Sequence, residues 1–328
     1  DGDPALRTLP KSELHQHLGG SIPVELTFRM LTERGLAPVA TRDALEPLLV
    51  VQADEEGSAP DYFRKHQLPL WATQYAENLT LAARAVAGEA HRQGVTELEL
   101  RCSPQLHVHL GLSLAEVIGA VLRGLDAARR DAPALRAELI VSAVRQLGPD
   151  AASRLAAAAV AAPAPGRARV VGFDLGGAER GNPAAAFRRA FDAARAGGLG
   201  LTAHAGEEDA AASIWAALDV LGATRIGHGC SALHDPELLR RLARDRVLVE
   251  CCHTSNRKTG AVARGARPTL LGLLERGIPV AICTDNATVG DTDAARETAL
   301  YREWLSLAEL GAIHRDARAH RFCGDRRG

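Results

Sequence analysis

Two histidines one residue apart, His15 and His17, end the short run Lys11-Ser12-Glu13-Leu14-His15-Gln16-His17 and are followed by Gly19-Gly20-Ser21. In an extended chain, side chains at i and i+2 share a face, so both imidazoles look toward one point. A metal ion asks this of two nitrogen ligands, although the polar face of an exposed strand reads the same way. Three later strand-like runs end in residues of matching chemistry: His204-Ala205-Gly206-Glu207, His228-Gly229 and Thr284-Asp285-Asn286. Three histidines and one aspartate form a nitrogen-rich set suited to a zinc-like divalent ion. Taken singly, each histidine is more often a satisfied polar group, and Asp285 would serve equally as a helix cap. Four such coincidences at strand ends favour the metal.

Glu207, one short turn past His204, is placed either to transfer protons or to cap the next helix. His228 reads as a fourth imidazole ligand or as a base. A bound metal lowers the pKa of water toward neutrality, and a neighbouring histidine and aspartate can orient that water and take its proton.

These residues need strands that converge. Eight short apolar or β-branched runs alternate with helical ones, at 11–17, 96–102, 137–145, 169–175, 199–204, 223–228, 246–251 and 279–285. Start signals mark the helices between them. Ser113 to Glu116 is a capping box opening a helix to about Arg130. Asn182-Pro183 and Asp235-Pro236 place a capping residue before proline. Arg267-Pro268 opens a helix that stops at Gly277, and a last helix spans Asp293 to Leu310. Eight alternations predict an α/β fold, a (β/α)8 TIM barrel with an insertion after the first strand, rather than an open sheet. In such a barrel the C-terminal strand ends share one face, which would gather these histidines and Asp285. The chain reads as one metal-dependent domain over 1–328. The insertion at 36–74 is irregular, with Gly57, Pro60, Pro69, Tyr62, Phe63 and Trp71, and reads as a lid or as a surface excursion.

Composition narrows the partners. A net charge of −1 offers no bulk attraction for nucleic acid or an anionic membrane. No apolar run reaches the ~18 residues of a membrane span. Asp1-Gly2-Asp3-Pro4 shows no signal-peptide pattern, and the six scattered cysteines (Cys102, Cys230, Cys251, Cys252, Cys283, Cys323) read as reduced thiols, so the expected compartment is the cytoplasm. No phosphate loop or dinucleotide fingerprint is present, nor the His-x-Glu with Pro-Cys-x-x-Cys signature of small base deaminases. His107-Val108-His109 reads as a surface loop, and Cys251-Cys252-His253 as packing. Oligomeric state is not legible.

Leu9–Ser21, Gly172–Glu179, Leu201–Glu207, Arg225–Gly229, Glu250–Asn256 and Thr284–Asn286, in this order, resemble the adenosine deaminase family of zinc-dependent barrels. The resemblance covers about residues 8–323. It implies one zinc ion per chain on His15, His17, His204 and Asp285, and a purine nucleoside substrate. Glu207 would protonate N1, while His228 and Asp285 would position and deprotonate the water adding to C6. Gly177 N–H would meet N3 and Asn286 would face N7, with His17 and Gly19 completing the substrate contacts. Two departures stand out. Asn286 replaces a common aspartate, which must be protonated to donate to N7; an amide donates at any pH. Gly19 replaces the aspartate that accepts from the ribose 5′-hydroxyl, which removes that acceptor and opens space there. The expected substrate therefore carries a bulky 5′ group, with 6-aminodeoxyfutalosine of the menaquinone route the specific expectation. 5′-Methylthioadenosine or S-adenosylhomocysteine would also fit. Adenosine itself, with Ser21 or an insertion residue serving its hydroxyl, is the alternative; a catalytically inert nucleoside-binding relative is another. His253 stands where the family has proline, and Arg257 and Lys258 would meet a substrate carboxylate or only solvent.

Overall fold

A computed structural model describes residues 3–52 and 58–322. Eight parallel strands follow one another in chain order: β1 Lys11–His17, β2 Val95–Cys102, β3 Arg136–Val144, β4 Val170–Gly176, β5 Gly200–Ala205, β6 Arg225–His228, β7 Leu248–Cys251 and β8 Val280–Ile282. The (β/α)8 barrel expected from the alternation is the fold. β8 is shorter than its apolar run: the ladder stops at Ile282, and Asp285 lies beyond it in a left-handed conformation with φ +61°.

An isolated parallel bridge between Gln16 and Asp285 joins β1 to the end of the β8 segment. Asp285 N–H donates to His15 O at 2.8 Å, and His17 N–H donates to Asp285 O at 2.6 Å. The closing seam thus fixes three of the expected metal ligands relative to one another through backbone alone.

β2 shows how the core is divided. Its Leu98 and Leu100 join the apolar shell with residues of the helices Ala76–Arg92 and Leu114–Asp131. The alternate residues Glu99 and Arg101 are buried among charges from other strands. Arg101 bonds Glu250 and lies 3.3 Å from Asp174, while Arg225 reaches Glu250 at 2.8 Å and Glu99 at 2.5 Å. Barrel interiors are more often filled by branched apolar side chains. Here buried ion pairs form a floor, each stable only while its partners remain, because a lone buried charge is costly.

The helix signals hold at Ser113, whose capping box opens Leu114–Asp131, and at Asp235, which accepts from Glu237 and Leu238 N–H. Two expectations are corrected. The last helix breaks after Ala299 and restarts at Leu307, because Ser306 and Glu309 form a second capping box inside the expected span. Asn182 does not cap: its amide donates to Ala178 O and Arg180 O, and a 3-10 turn at Ala184–Phe187 precedes the helix Arg188–Ala196.

The insertion is less irregular than expected, with short helices at Arg42–Leu49, Ala59–Arg64 and Gln67–Ala72 capped at Thr41 and Ser58. Phe63 and Trp71 are exposed but Tyr62 is buried; Gly57 lies outside the described residues. His107, expected at the surface, is buried: its Nδ1 lies 3.1 Å from Thr73 Oγ1, and burial pushes it down to about 4. The insertion's far end covers it. His109 is exposed, as expected. Cys102, Cys230, Cys251, Cys252 and Cys283 are buried and in no disulfide, and the burial of Cys251 and Cys252 fits their reading as packing; Cys323 lies outside the described residues. Among the described residues no helix is long and apolar enough to cross a membrane.

Candidate active site

His15, His17, His204 and Asp285 converge at the C-terminal mouth of the barrel, with one ligand atom from each within 4.8 Å of all the others. His17 Nε2 lies 3.2 Å from His15 Nε2 and 3.0 Å from His204 Nε2. The ring orientations have a cause. His15 Nδ1 faces Glu250 Oε2 at 2.9 Å, and His204 Nδ1 faces Asp174 Oδ1 at 3.2 Å. Each carboxylate accepts an Nδ1–H, which leaves the Nε2 lone pair aimed inward. Lone pairs this close repel one another unless a cation lies among them. Burial pushes His204 down to about 4 and His17 well below its ordinary value, which favours the neutral, ligating imidazole. Asp285 turns Oδ1 toward His17 at 3.4 Å, while its Oδ2 accepts from Ser255 Oγ at 2.5 Å. Three nitrogens and one carboxylate oxygen, backed by outer carboxylates, fit a zinc-like ion.

His228 stands beside this cluster with φ +65°, a strained conformation for a non-glycine residue that persists where surrounding structure enforces it. Its Nδ1 lies 2.7 Å from Asn256 Oδ1 and its Nε2 3.5 Å from Glu207 Oε2. Burial disfavours the charged ring, but the Glu207 and Asp285 carboxylates prevail and raise its pKa. Burial, reinforced by Asp285 and Glu208 against the opposing His228, raises Glu207 in turn. Both groups therefore hold a proton more tightly than they would in water.

Glu179 anchors the loop that carries Glu207. Its buried carboxylate accepts N–H bonds from Gly206 at 2.6 Å, Glu207 at 3.1 Å, Glu208 at 2.9 Å and Asp209 at 3.2 Å, with the Ser213 hydroxyl bonded as well. Gly177, two residues earlier, has φ +88°, and a Cβ there would fall 2.3 Å from Gln146 Oε1. Only glycine serves, and the backbone is left bare at the mouth.

The two glycines after β1 differ. A Cβ on Gly20 would meet Asn286 Oδ1 at 1.9 Å, whereas a Cβ on Gly19 meets nothing within 4 Å. Gly20 is required by packing. Gly19 is not, and faces open space.

The structure brings the expected residues His15, His17, His204, Asp285, Glu207, His228, Gly177 and Asn286 to one mouth. Their supports, Glu250, Asp174, Ser255, Asn256 and Glu179, were not among the expected residues. Two residues of the insertion also reach the site, His66 and Tyr62, the latter named in the sequence without a role. The Tyr62 hydroxyl is buried beside Ser255 and Asn286 without a completed hydrogen bond, and His66 Nε2 lies 3.0 Å from Asn286 Oδ1. The only signal was that several of these lie inside the matched segments. Lys258, a candidate for a substrate carboxylate, donates to Val51 O at 2.7 Å.

The adenosine deaminase family matches residues 10–327. A protein of Enterococcus faecalis described as adenosine deaminase is 35% identical over 319 residues, covering 97% of this chain and 93% of that protein. Adenine deaminase from Arthrobacter aurescens superposes with a TM-score of 0.88 at 27% identity, covering 96% of this chain and 94% of its own. The N6-methyl-AMP deaminase of Arabidopsis thaliana gives 0.83 at 28% identity, covering 98% and 94%.

Proposed function

This chain belongs to the adenosine deaminase family, and from that membership we propose that it is a hydrolytic deaminase acting at C6 of an adenine nucleoside with a substituted 5′ carbon. 6-Aminodeoxyfutalosine is the specific substrate proposed. Gly19 carries this choice: nothing in its surroundings requires glycine, so the missing side chain is a feature of the pocket and not of the packing. The relatives support such latitude, since one is named for the free base and another for a nucleotide. The alternative substrate is adenosine itself, favoured by the name of the Enterococcus faecalis relative.

His15, His17, His204 and Asp285 would hold one zinc ion per chain, which when bound supplies Lewis acidity that makes water nucleophilic near neutral pH. The protein's own groups do the rest. His228, oriented through Nδ1 by Asn256, takes the proton of the water adding to C6, with Asp285 sharing in its placement. Glu207, where burial favours the protonated form, gives its proton to N1. Gly177 N–H donates to N3 and the Asn286 amide to N7, while His17 and Gly19 border the ribose. The C6–N bond then breaks, ammonia leaves with a returned proton, and a 6-oxopurine nucleoside remains.

The test is release of ammonia with loss of the 6-amino chromophore, measured on metal-loaded and chelator-stripped protein. Turnover that disappears on stripping and returns with zinc is expected. A metal-loaded protein that binds adenine nucleosides yet releases no ammonia would instead be an inert relative.

A further inference from the structure

We propose that His66 is a positioning residue that turns the Asn286 amide so that its NH2 group, not its oxygen, faces the purine. This rests on the reading that Asn286 meets N7.

Asn286 is buried and its side chain lies against Gly20. An amide offers an acceptor at one end and donors at the other. Purine N7 only accepts, so one of two amide orientations is productive, and a half-turn about the last side-chain bond exchanges them. The neighbour at the far end decides. His66 Nε2 lies 3.0 Å from Oδ1. A ring with hydrogen on Nε2 bonds the oxygen and sends Nδ2 toward the substrate. A ring with a bare Nε2 would take Nδ2 and set an oxygen against N7, acceptor facing acceptor.

The ring itself is held from below. His66 Nδ1 lies 3.2 Å from the Tyr62 carbonyl oxygen, one helical turn earlier, which can only accept. With Oδ1 at the histidine end of the amide, Nε2 is the nitrogen that must donate, and the Tyr62 contact holds the ring in the plane that aims it there. A carboxyl in place of Asn286 would need a proton to serve N7; the amide needs an orientation, and His66 provides it from the insertion.

Dissociation constants of the deaminated product and its 7-deaza analogue, measured by calorimetry on metal-loaded protein, test this. Replacing N7 by C–H leaves a buried donor unpaired, so the wild type should bind the analogue about tenfold more weakly. Asn286→Ala should abolish that discrimination. His66→Ala, and His66→Leu, which keeps bulk against Tyr62, should reduce it to roughly threefold or less, and His66→Gln, whose amide donates at similar reach, should restore most of it. If Asn286→Ala abolishes the discrimination while both His66 variants keep it, the proposal is overturned and the N7 contact stands. If the wild type does not discriminate, or Asn286→Ala leaves discrimination intact, the N7 reading falls and takes the proposal with it.

Discussion

Gly19 and Gly20 are neighbours of one residue type whose surroundings make opposite demands. Gly20→Ala forces a Cβ into the Asn286 side chain and is expected to cost about 1–3 kcal/mol of stability, read from denaturant melts. Gly19→Asp meets open space and should melt within ~0.5 kcal/mol of wild type, while shifting preference toward a nucleoside with a free 5′-hydroxyl. An unstable Gly19→Asp would show that packing, and not substrate, explains the glycine. Glu207→Gln removes an acid whose protonated form burial favours, and should lower kcat by roughly 10²–10⁴ with metal content unchanged. Near-normal turnover would remove Glu207 from the mechanism.

Between elements, the decisive contacts cross long stretches of chain. Glu179 follows β4, yet it gathers the N–H groups after β5 and so sets where Glu207 points. Glu179→Gln presents an amide NH2 to those donors. Misplacing a reacting group by ~1 Å costs on the order of 10²-fold, so kcat should fall by about that factor while zinc stoichiometry holds. Wild-type turnover would contradict the anchoring role. Such contacts also mark where sequence reading ends. His15, His17, His204 and Asp285 were legible because each stands at or near the end of a strand-like run, and strand ends share a face in any barrel. Glu250 and Asp174 lie inside strands, where periodicity places them in the interior but does not say which histidine each supports. Tyr62 sits on a short helix and His66 in the turn after it, and Tyr62 packs with Val51 and Val289, a pairing with no local signature. The break before Ser306 was visible in principle as Ser306 with Glu309, a capping box hidden inside a longer helical pattern.

At the scale of the molecule, the barrel tolerates buried ionisable groups away from the site as well. Glu297 is fully buried, accepts from Thr292 Oγ1 at 2.9 Å, and is pushed up to about 7 by burial. The folded chain therefore keeps this proton where the unfolded chain releases it at its ordinary value of 4.5. The group's contribution is fully present below that value and is lost as pH rises through about 7. Glu297→Gln mimics the protonated side chain, so its stability relative to wild type should grow by on the order of 3 kcal/mol between pH 4.5 and 8. Urea melts at the two pH values would show it, and a constant difference would place an ionised carboxylate there.

The ratio of kcat/KM for 6-aminodeoxyfutalosine to that for adenosine, on one zinc-loaded preparation, weighs the whole account. An open Gly19 pocket predicts a preference for the substituted nucleoside of about tenfold or more. A wide preference for adenosine would contradict the substrate assignment and leave the deaminase chemistry in place.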